Sequence, residues 1–501
     1  MSHRCADETG ETEGDRRLVE ATSLEREREE QARWRPLPQG PRLPIFEQLV
    51  ENEFQPPEVL LAQQGADLRK LVAFAVQRVP YYRDLFERLK LTPADVVSAA
   101  DLLKLPLLSK RLILENERRL TPDRLPQGEK FYGVFASSGT TGRPTRVAHT
   151  HNSNLMFTVM GQRHVRWCRW DPMDKVAEIR LPHQLPSKPD GSAFEPGETC
   201  RRPGWRYLGG LFQTGPYAGL NVFTPMEERI DWVYREEPAH LTGASEILEQ
   251  MAFACQDRGP PPGLLSTRAI SEQLTEPMRR RIEDTFKVPV HQNYGLNEVG
   301  IIAGLCPAGR YHINSEHCIV EILDEDLQPC PPGATGRLVV TALKNPAMPL
   351  LRYDTDDLAT AVDGPCPCGR TLPAFDDIVG RYSRIAFLPP GTLVHVEALR
   401  DELQAMPQEL MRNLRQFQVH QFRDGRFEMR LCTVGPLPDA FGARLREAWQ
   451  GSIGGEALSL ELIEVEEIAR PPSGKYQDFT SDFFPAAGSD ARPDSTVTRR
   501  P

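Results

Sequence analysis

The sequence predicts an α/β protein in two parts, a large domain of sheets and helices followed by a small α+β domain, and three observations carry that prediction. The chain has 501 residues, about three ordinary domain lengths. Short β-branched or aromatic runs alternate along it with segments of helical spacing. Around Gly380 the pattern restarts as β-α-β-β-α-β, enough for a separate compact domain.

Taken in order, residues 1–34 are charged in mixed runs such as Glu25-Arg26-Glu27-Arg28-Glu29-Glu30, too polar to bury a face, and read as a disordered arm. Residues 35–380 form the large domain. Within it, 58–79 and 277–286 have helical periodicity, while 134–136, 288–290, 319–323 and 336–341 read as strands. Residues 381–485 form the small domain: a strand at 385–388, a helix over 397–411, strands at 417–420 and 427–432, a helix near 441–449 and a strand at 458–465. Residues 486–501 carry Gly, Ser, Pro and Thr without periodicity and read as a disordered tail. No fixed-period repeat is present.

Composition excludes several functions. Lys and Arg number 60 against 70 Asp and Glu, a net charge of −10, which argues against nucleic acid or an anionic membrane as the main partner. No stretch has the length and apolarity of a membrane span or a signal peptide, so a soluble, cytoplasmic protein is expected. Ten cysteines in so long a chain favour free thiols or metal ligands over a disulfide framework.

The clearest chemical motif is Ser137-Ser138-Gly139-Thr140-Thr141-Gly142-Arg143-Pro144-Thr145, directly after the apolar run Val134-Phe135-Ala136. Two glycines let the backbone turn tightly and present N–H groups, and the hydroxyls add donors suited to phosphate oxygens. The spacing is not that of the Walker loop. A second constellation is Cys306 with His312, followed by Cys366-Pro367-Cys368-Gly369-Arg370. Two pairs of soft or borderline ligands suit structural Zn²⁺ in tetrahedral geometry. His317, Cys318 and Cys330 lie between the pairs, and one of them could replace a ligand.

The order of the loop resembles the signature of the adenylate-forming superfamily, the acyl-CoA synthetases and their relatives, and in particular the phenylacetate–CoA ligase branch. Other blocks follow in sequence. The run Val79 to Phe86, with Leu105-Pro106-Leu107-Leu108-Ser109-Lys110, is similar to the N-terminal region of that branch. Asn293-Tyr294-Gly295-Leu296-Asn297-Glu298-Val299-Gly300 resembles its Tyr-Gly-x-Thr-Glu block, and Leu351-Arg352-Tyr353-Asp354-Thr355-Asp356-Asp357 its Arg-Tyr-x-Thr-Gly-Asp block. Gly380-Arg381 matches the interdomain motif and Pro472-Ser473-Gly474-Lys475 the C-terminal lysine motif; the resemblance covers about residues 70–480. A Cys-His pair before a strand and a Cys-x-Cys-Gly-Arg turn are also similar to that branch.

The resemblance implies a function and a site. ATP would activate a carboxylic acid, aryl by analogy with the branch, as an acyl-adenylate with loss of pyrophosphate, and a thiol, CoA foremost, would take the acyl group. Rival readings are an adenylating enzyme with an amine, hydroxyl or carrier-protein acceptor, and a nucleotide-binding protein with weakened turnover. Tyr294 would stack on adenine, with Asn293, Gly295 and the turn Ser271-Glu272-Gln273 beside the nucleotide. Glu298 would contribute to Mg²⁺, with Asn297 next to it; Asp357 would accept the ribose hydroxyls, and Arg381 would reach the ribose or phosphate edge. Lys475 would stabilise charge developing at the α-phosphate. Phe135 and the stretch 209–212 are candidates for the acyl pocket. The oligomeric state stays open, a homodimer included.

Departures from the branch also carry expectations. Arg143 replaces a loop lysine, and Asn297 a threonine. Asp354 and Asp356 stand where Arg and Gly are usual, and their negative charge is expected to weaken nucleotide binding unless Mg²⁺ or basic neighbours offset it. Ser383-Arg384 replaces an acidic hinge pair, which puts the rotation of the small domain, and with it CoA transfer, in question.

Overall fold

The computed structural model describes residues 34–37, 42–136, 145–206, 211–271, 274–381, 385–388, 392–395, 406–411, 413–453, 460–465, 468 and 479–482. Four helices open the fold: α1 (Arg42–Asn52), α2 (Pro57–Arg78), α3 (Pro80–Leu89) and α4 (Lys110–Leu120). Proline begins α2 and α3, where no intrahelical N–H is lost. Ser109 caps α4 by accepting the Leu112 N–H.

Strands β1 (Phe131–Ala136) and β2 (Arg146–Thr150) form an antiparallel hairpin on either side of residues 137–144. Helix α5 (His151–Trp167) follows at once, its first turn fixed by a reciprocal Thr150–Ser153 capping box. The chain then builds β3 (Val176–Arg180), β4 (Thr199–Arg202), β5 (Tyr217–Asn221), α6 (Met226–Glu236), β6 (His240–Ala244), α7 (Ser245–Ala254), β7 (Ser266–Ile270), α8 (Glu276–Phe286) and β8 (Val290–Leu296). Next come β9 (Gly300–Leu305), β10 (Tyr311–Ile313), β11 (Cys318–Leu323), β12 (Thr335–Ala342), β13 (Tyr353–Ala361) and β14 (Ala374–Arg381).

Strands β3 to β14 join in one twelve-stranded sheet, ordered β11-β12-β13-β14-β10-β9-β8-β7-β6-β3-β5-β4. From β5 through β3, β6 and β7 to β8 the neighbours are parallel, as helical crossovers require; from β8 through β9 to β11 they are antiparallel. Two hydrophobic cores follow the same division. Leu241, Leu248, Ile282 and Phe286 belong to the core of the parallel half, and Val340, Leu350, Tyr353 and Phe375 to that of the antiparallel half. Strand β8 serves both, with Val290 in the first and Tyr294 in the second.

The segment before α4 is part of this frame. Leu108 forms a parallel bridge to Tyr353: its N–H donates to the Arg352 carbonyl at 2.8 Å, and the Asp354 N–H donates to its own carbonyl at 3.1 Å.

Beyond Arg381 are the hairpin β15 (Ile385–Leu388) and β16 (Thr392–His395), a short α9 (Gln408–Met411), β17 (Leu414–Gln421), β18 (Phe427–Thr433), α10 (Asp439–Ile453), β19 (Leu460–Val465) and β20 (Phe479–Ser481). The last four strands make a sheet ordered β19-β18-β17-β20, with Phe427, Met429, Phe441 and Trp449 in its core. Two elements differ from the expected order. The strand at 385–388 has a hairpin partner, and β20 closes the sheet by parallel pairing with β17. Of the helix expected over 397–411, residues 408–411 are helical and 396–405 lie outside the described residues. Among the described residues, no helix is long and apolar enough to cross a membrane.

Candidate functional site

The two central sequence blocks meet where β8 and β13 face each other across the sheet. Tyr294 stands on β8, 9% exposed, and Asp357 on β13, 8% exposed. The Tyr294 hydroxyl donates to Asp357 Oδ2 at 2.7 Å across 63 residues of sequence. The Asp357 N–H donates to Thr355 Oγ1 at 3.1 Å, which fixes the backbone beneath the carboxylate. The Tyr294 ring lies edge-on to Phe375, with centroids 6.2 Å apart. The sheet thus holds a buried, acceptor-only carboxylate with one oxygen engaged by Tyr294.

Residues 297–299 form the tight turn from β8 to β9, which needs two glycines. A Cβ on Gly295 would come within 2.7 Å of the Gly300 carbonyl oxygen, and one on Gly300, at φ +116°, within 2.9 Å of His317 and Phe157. Glu298 in this turn is 5% exposed and accepts from the Tyr353 hydroxyl at 3.2 Å. Burial first, and the Glu298 carboxylate second, push the Tyr353 phenol well above its ordinary range, so it remains a donor. Asn297 donates from Nδ2 to the Ala136 carbonyl at 2.9 Å, which ties the turn to the last residue of β1. Asn293 accepts from Arg268 at 3.2 Å. Ser271 has a left-handed φ of +69°.

The structure explains the unusual aspartates. Asp354 pairs with Arg337 on β12 at 2.6 Å, and its other oxygen accepts the Asp356 N–H at 3.1 Å. The basic neighbour that the extra charge requires is therefore present at Asp354. Asp356 has φ +68°, the region where an L-residue is disfavoured and glycine is not. Arg352 is 2% exposed and turned away from this site; it binds the Glu321 carboxylate and donates to the Leu105 carbonyl at 2.6 Å.

The second constellation assembles at the far ends of β9, β10 and the β13–β14 connection. The ligand atoms of Cys306, His312, Cys366 and Cys368 all lie within 4.8 Å of one another. Cys306 and Cys366 sulfurs are 3.7 Å apart, and His312 Nε2 is 3.2 Å from Cys368 Sγ. A tetrahedron of ligands at metal–sulfur distances of about 2.3 Å has edges of roughly 3.8 Å, so the spacing fits a metal. His312 Nδ1 lies 2.9 Å from the Leu372 carbonyl, a contact that an N–H satisfies, leaving the Nε2 lone pair toward the thiols. Hydrogen bonding from Cys306, and then from His312, favours the Cys368 thiolate, while the Cys368 sulfur, and then burial, push the Cys306 thiol up. The alternative ligands are elsewhere: His317 Nε2 contacts the Val299 carbonyl at 2.7 Å, Cys318 faces the Ile302 and Asn314 carbonyls, and Cys330 lies against Gly336.

Several expected site residues cannot be set in this geometry. Ser137, Ser138, Gly139, Thr140, Thr141, Gly142 and Arg143 lie outside the described residues, as do Glu272, Gln273, Ser383, Arg384 and Lys475. Arg381 is described only as the last residue of β14, its backbone paired with Asp357. Of the acyl-pocket candidates, Phe135 is half-buried, its ring 4.5 Å from that of His149 and 6.5 Å from Phe157. Leu211 and Phe212 belong to a core cluster instead, where Phe212 meets Trp34 and Phe46 edge-on at 5.2 Å; Gly209 and Gly210 lie outside the described residues. Sequence reasoning missed Tyr353, Arg337 and His149. Tyr353 stood inside a quoted block, but its partner is set by strand pairing that no local pattern encodes.

No protein-family model matches the chain. Curated relatives include the phenylacetate-coenzyme A ligase of Thermus thermophilus, 28% identical over 83% of this chain and 88% of that protein. The phenylacetate-coenzyme A ligase of Escherichia coli is 29% identical over 69% of this chain and 76% of that protein. Among solved structures, a 2-hydroxyisobutyryl-CoA ligase in the postadenylation state, in complex with 2-HIB-AMP, shares the fold with a TM-score of 0.67 at 18% identity, covering 86% of this chain and 91% of that one. Along most of its length the chain is thus similar to phenylacetate-coenzyme A ligases, and it shares the fold of a solved CoA ligase.

Proposed function

We propose that the chain is an AMP-forming acid–thiol ligase: it activates a carboxylic acid with ATP as an acyl-adenylate, releases pyrophosphate, and passes the acyl group to CoA. The carrying observation is the Tyr294–Asp357 contact, which brings an aromatic ring and a carboxylate together at one buried point of the sheet. Asp357 holds the ribose through its acceptor lone pairs while Tyr294 orients it. Glu298, in the turn tied to the end of β1 through Asn297, binds the Mg²⁺ that accompanies the phosphates. The loop 137–143 cradles those phosphates, Arg143 supplying positive charge, with Asn293, Gly295 and 271–273 beside adenine and Arg381 at the ribose edge. The acid's carboxylate attacks the α-phosphate, the bond to pyrophosphate breaks, and Lys475 stabilises the charge that develops. Rotation of the small domain, residues 381–485, then exchanges Lys475 for the face that receives the thiol. The pairing of Asp354 with Arg337 favours this active enzyme over a binding protein that has lost turnover.

Cys306, His312, Cys366 and Cys368 hold one structural Zn²⁺, which fastens β9 and β10 to the connection between β13 and β14. Pyrophosphate release from ATP and Mg²⁺ across a panel of aryl and aliphatic acids, with and without CoA, tests the reaction. Release that needs an acid, with a thioester formed only when CoA is added, is expected. Release with no acid tested would remove the ligase reading, and transfer to amines but not CoA would change the acceptor.

A further inference from the structure

We propose that Arg370, anchored by Glu53, is the positioning residue of the Cys₃His metal centre and sets how tightly that centre holds its ion. The inference rests on the metal assignment above and asks what compensates the centre's charge. Three thiolates and a neutral imidazole around a divalent cation leave one unit of negative charge in the protein interior. A buried uncompensated charge is costly, so a cation is expected beside the sulfurs.

Arg370 is that cation. It lies two residues past Cys368, and its side chain is 11% exposed. It also lies over the Trp167 ring, 4.6 Å from the centroid, and 5.9 Å from that of Phe54. Trp167 meets the His312 ring edge-on at 6.1 Å, so one indole packs against both the ligand imidazole and the cation. Arg370 Nε donates to Glu53 Oε2 at 2.9 Å, and Glu53 is 2% exposed. The other Glu53 oxygen has no hydrogen-bond partner among the described residues, so the one guanidinium charge is shared between this carboxylate and the metal ligands. The backbone repeats the link: the Thr371 N–H donates to the Glu53 carbonyl at 2.9 Å, and its hydroxyl to the Gln55 carbonyl at 2.5 Å. Glu53 to Gln55 form the corner between α1 and α2, and Trp167 ends α5. The turn that carries Cys368, the N-terminal helical corner and the helix that follows the phosphate loop therefore meet at Arg370. Outer partners of this kind fix ligand orientation and are worth about 10- to 100-fold in metal affinity.

The test measures metal, not turnover, so it stands apart from the adenylation reading. Wild type, Arg370→Lys, Glu53→Gln and the double variant Glu53→Gln/Arg370→Gln are purified without added metal, and zinc per chain is measured. Each is then titrated with a chromogenic chelator, and each is reloaded with Co²⁺ to record the sulfur-to-cobalt absorption. The double variant leaves neither charge unpaired, which protects its folding. Its half-stripping chelator concentration is expected to fall about 10- to 100-fold, with a displaced cobalt band, and Arg370→Lys to recover part of the loss. A folded double variant that holds zinc as tightly as wild type, with an unchanged cobalt spectrum, would overturn the inference and leave Arg370 a packing clamp. Wild type that carries no zinc would overturn the metal assignment and this inference with it.

Discussion

Tyr294→Phe removes a single oxygen and keeps the ring, so it separates the two tasks assigned to that residue. The oxygen lost is the donor 2.7 Å from Asp357 Oδ2, between two side chains that are both at least nine-tenths buried. A hydrogen bond to a charged acceptor contributes about 1.5–3 kcal/mol, or roughly 10- to 150-fold. Asp357 keeps its backbone anchor at Thr355, so the lower end of that range is expected. ATP affinity, measured calorimetrically with Mg²⁺ and no acid, should fall about tenfold, with a small change in thermal midpoint. Asp357→Ala should cost more, because the ribose hydroxyls lose their acceptor. If Tyr294 acts through Asp357, then Tyr294→Phe in the Asp357→Ala background should change ATP affinity by under about 0.5 kcal/mol. Losses that simply add would mean that the hydroxyl serves something other than the carboxylate, and the reasoning from this contact would fail.

Lys475→Ala should reduce adenylate formation by about 3–4 kcal/mol of transition-state stabilisation while sparing transfer from a preformed acyl-adenylate; equal losses in both half-reactions would remove the assigned role. At Asp356, with φ +68°, Asp356→Gly should raise thermal stability by up to about 1 kcal/mol and Asp356→Asn should not, whereas both should tighten ATP alike at low salt and less at high salt. A stability gain in Asn as large as in Gly would show that charge rather than backbone decides it. Burial holds the imidazoles of His149 and His317 down at about 4, from an ordinary 6.5. Their folded-state values are depressed, so the unfolded chain takes up protons first as pH falls, and stability is lost from about 6.5 down to 4. Denaturant unfolding at pH 7 and 5 should differ by about 2 kcal/mol per histidine, less the same step in a His317→Gln variant. A His317→Gln protein with the full wild-type pH dependence would release His317 from this role.

What the sequence made legible was local. The expected strands at 319–323 and 336–341 fall within β11 and β12, and the helices at 58–79 and 441–449 within a residue or a turn of α2 and α10, because side-chain periodicity records which face is buried. Partnership was not legible. Nothing in the run 417–420 announces that Phe479 will pair with Val419, and nothing around Asp357 names Tyr294 as its donor. The block that resembles the ribose motif also hides two unlike tasks. Asp357 lies at the candidate site, while Arg352, five residues before it, is a buried tie to Glu321 and Leu105. Residue type and spacing are equal evidence for both, and strand pairing divides them. The metal cluster was easier, since thiol and imidazole ligands must converge within a few ångströms once a metal is assumed.

Strand β8 enters one hydrophobic core at Val290 and leaves it for another at Tyr294. Two cores that share a single strand can be renovated one at a time. Substitutions among Leu241, Leu248 and Ile282 can be absorbed by repacking among their own neighbours, with Tyr294, Tyr353 and Phe375 left undisturbed. Such a seam lets a lineage rework one flank of the molecule while the other stays fixed. The core of the parallel half runs from Ala177 to Val290 and could be exchanged as one block, whereas the other draws on both sides of it, from Leu68 to Val147 and from Tyr294 to Phe375.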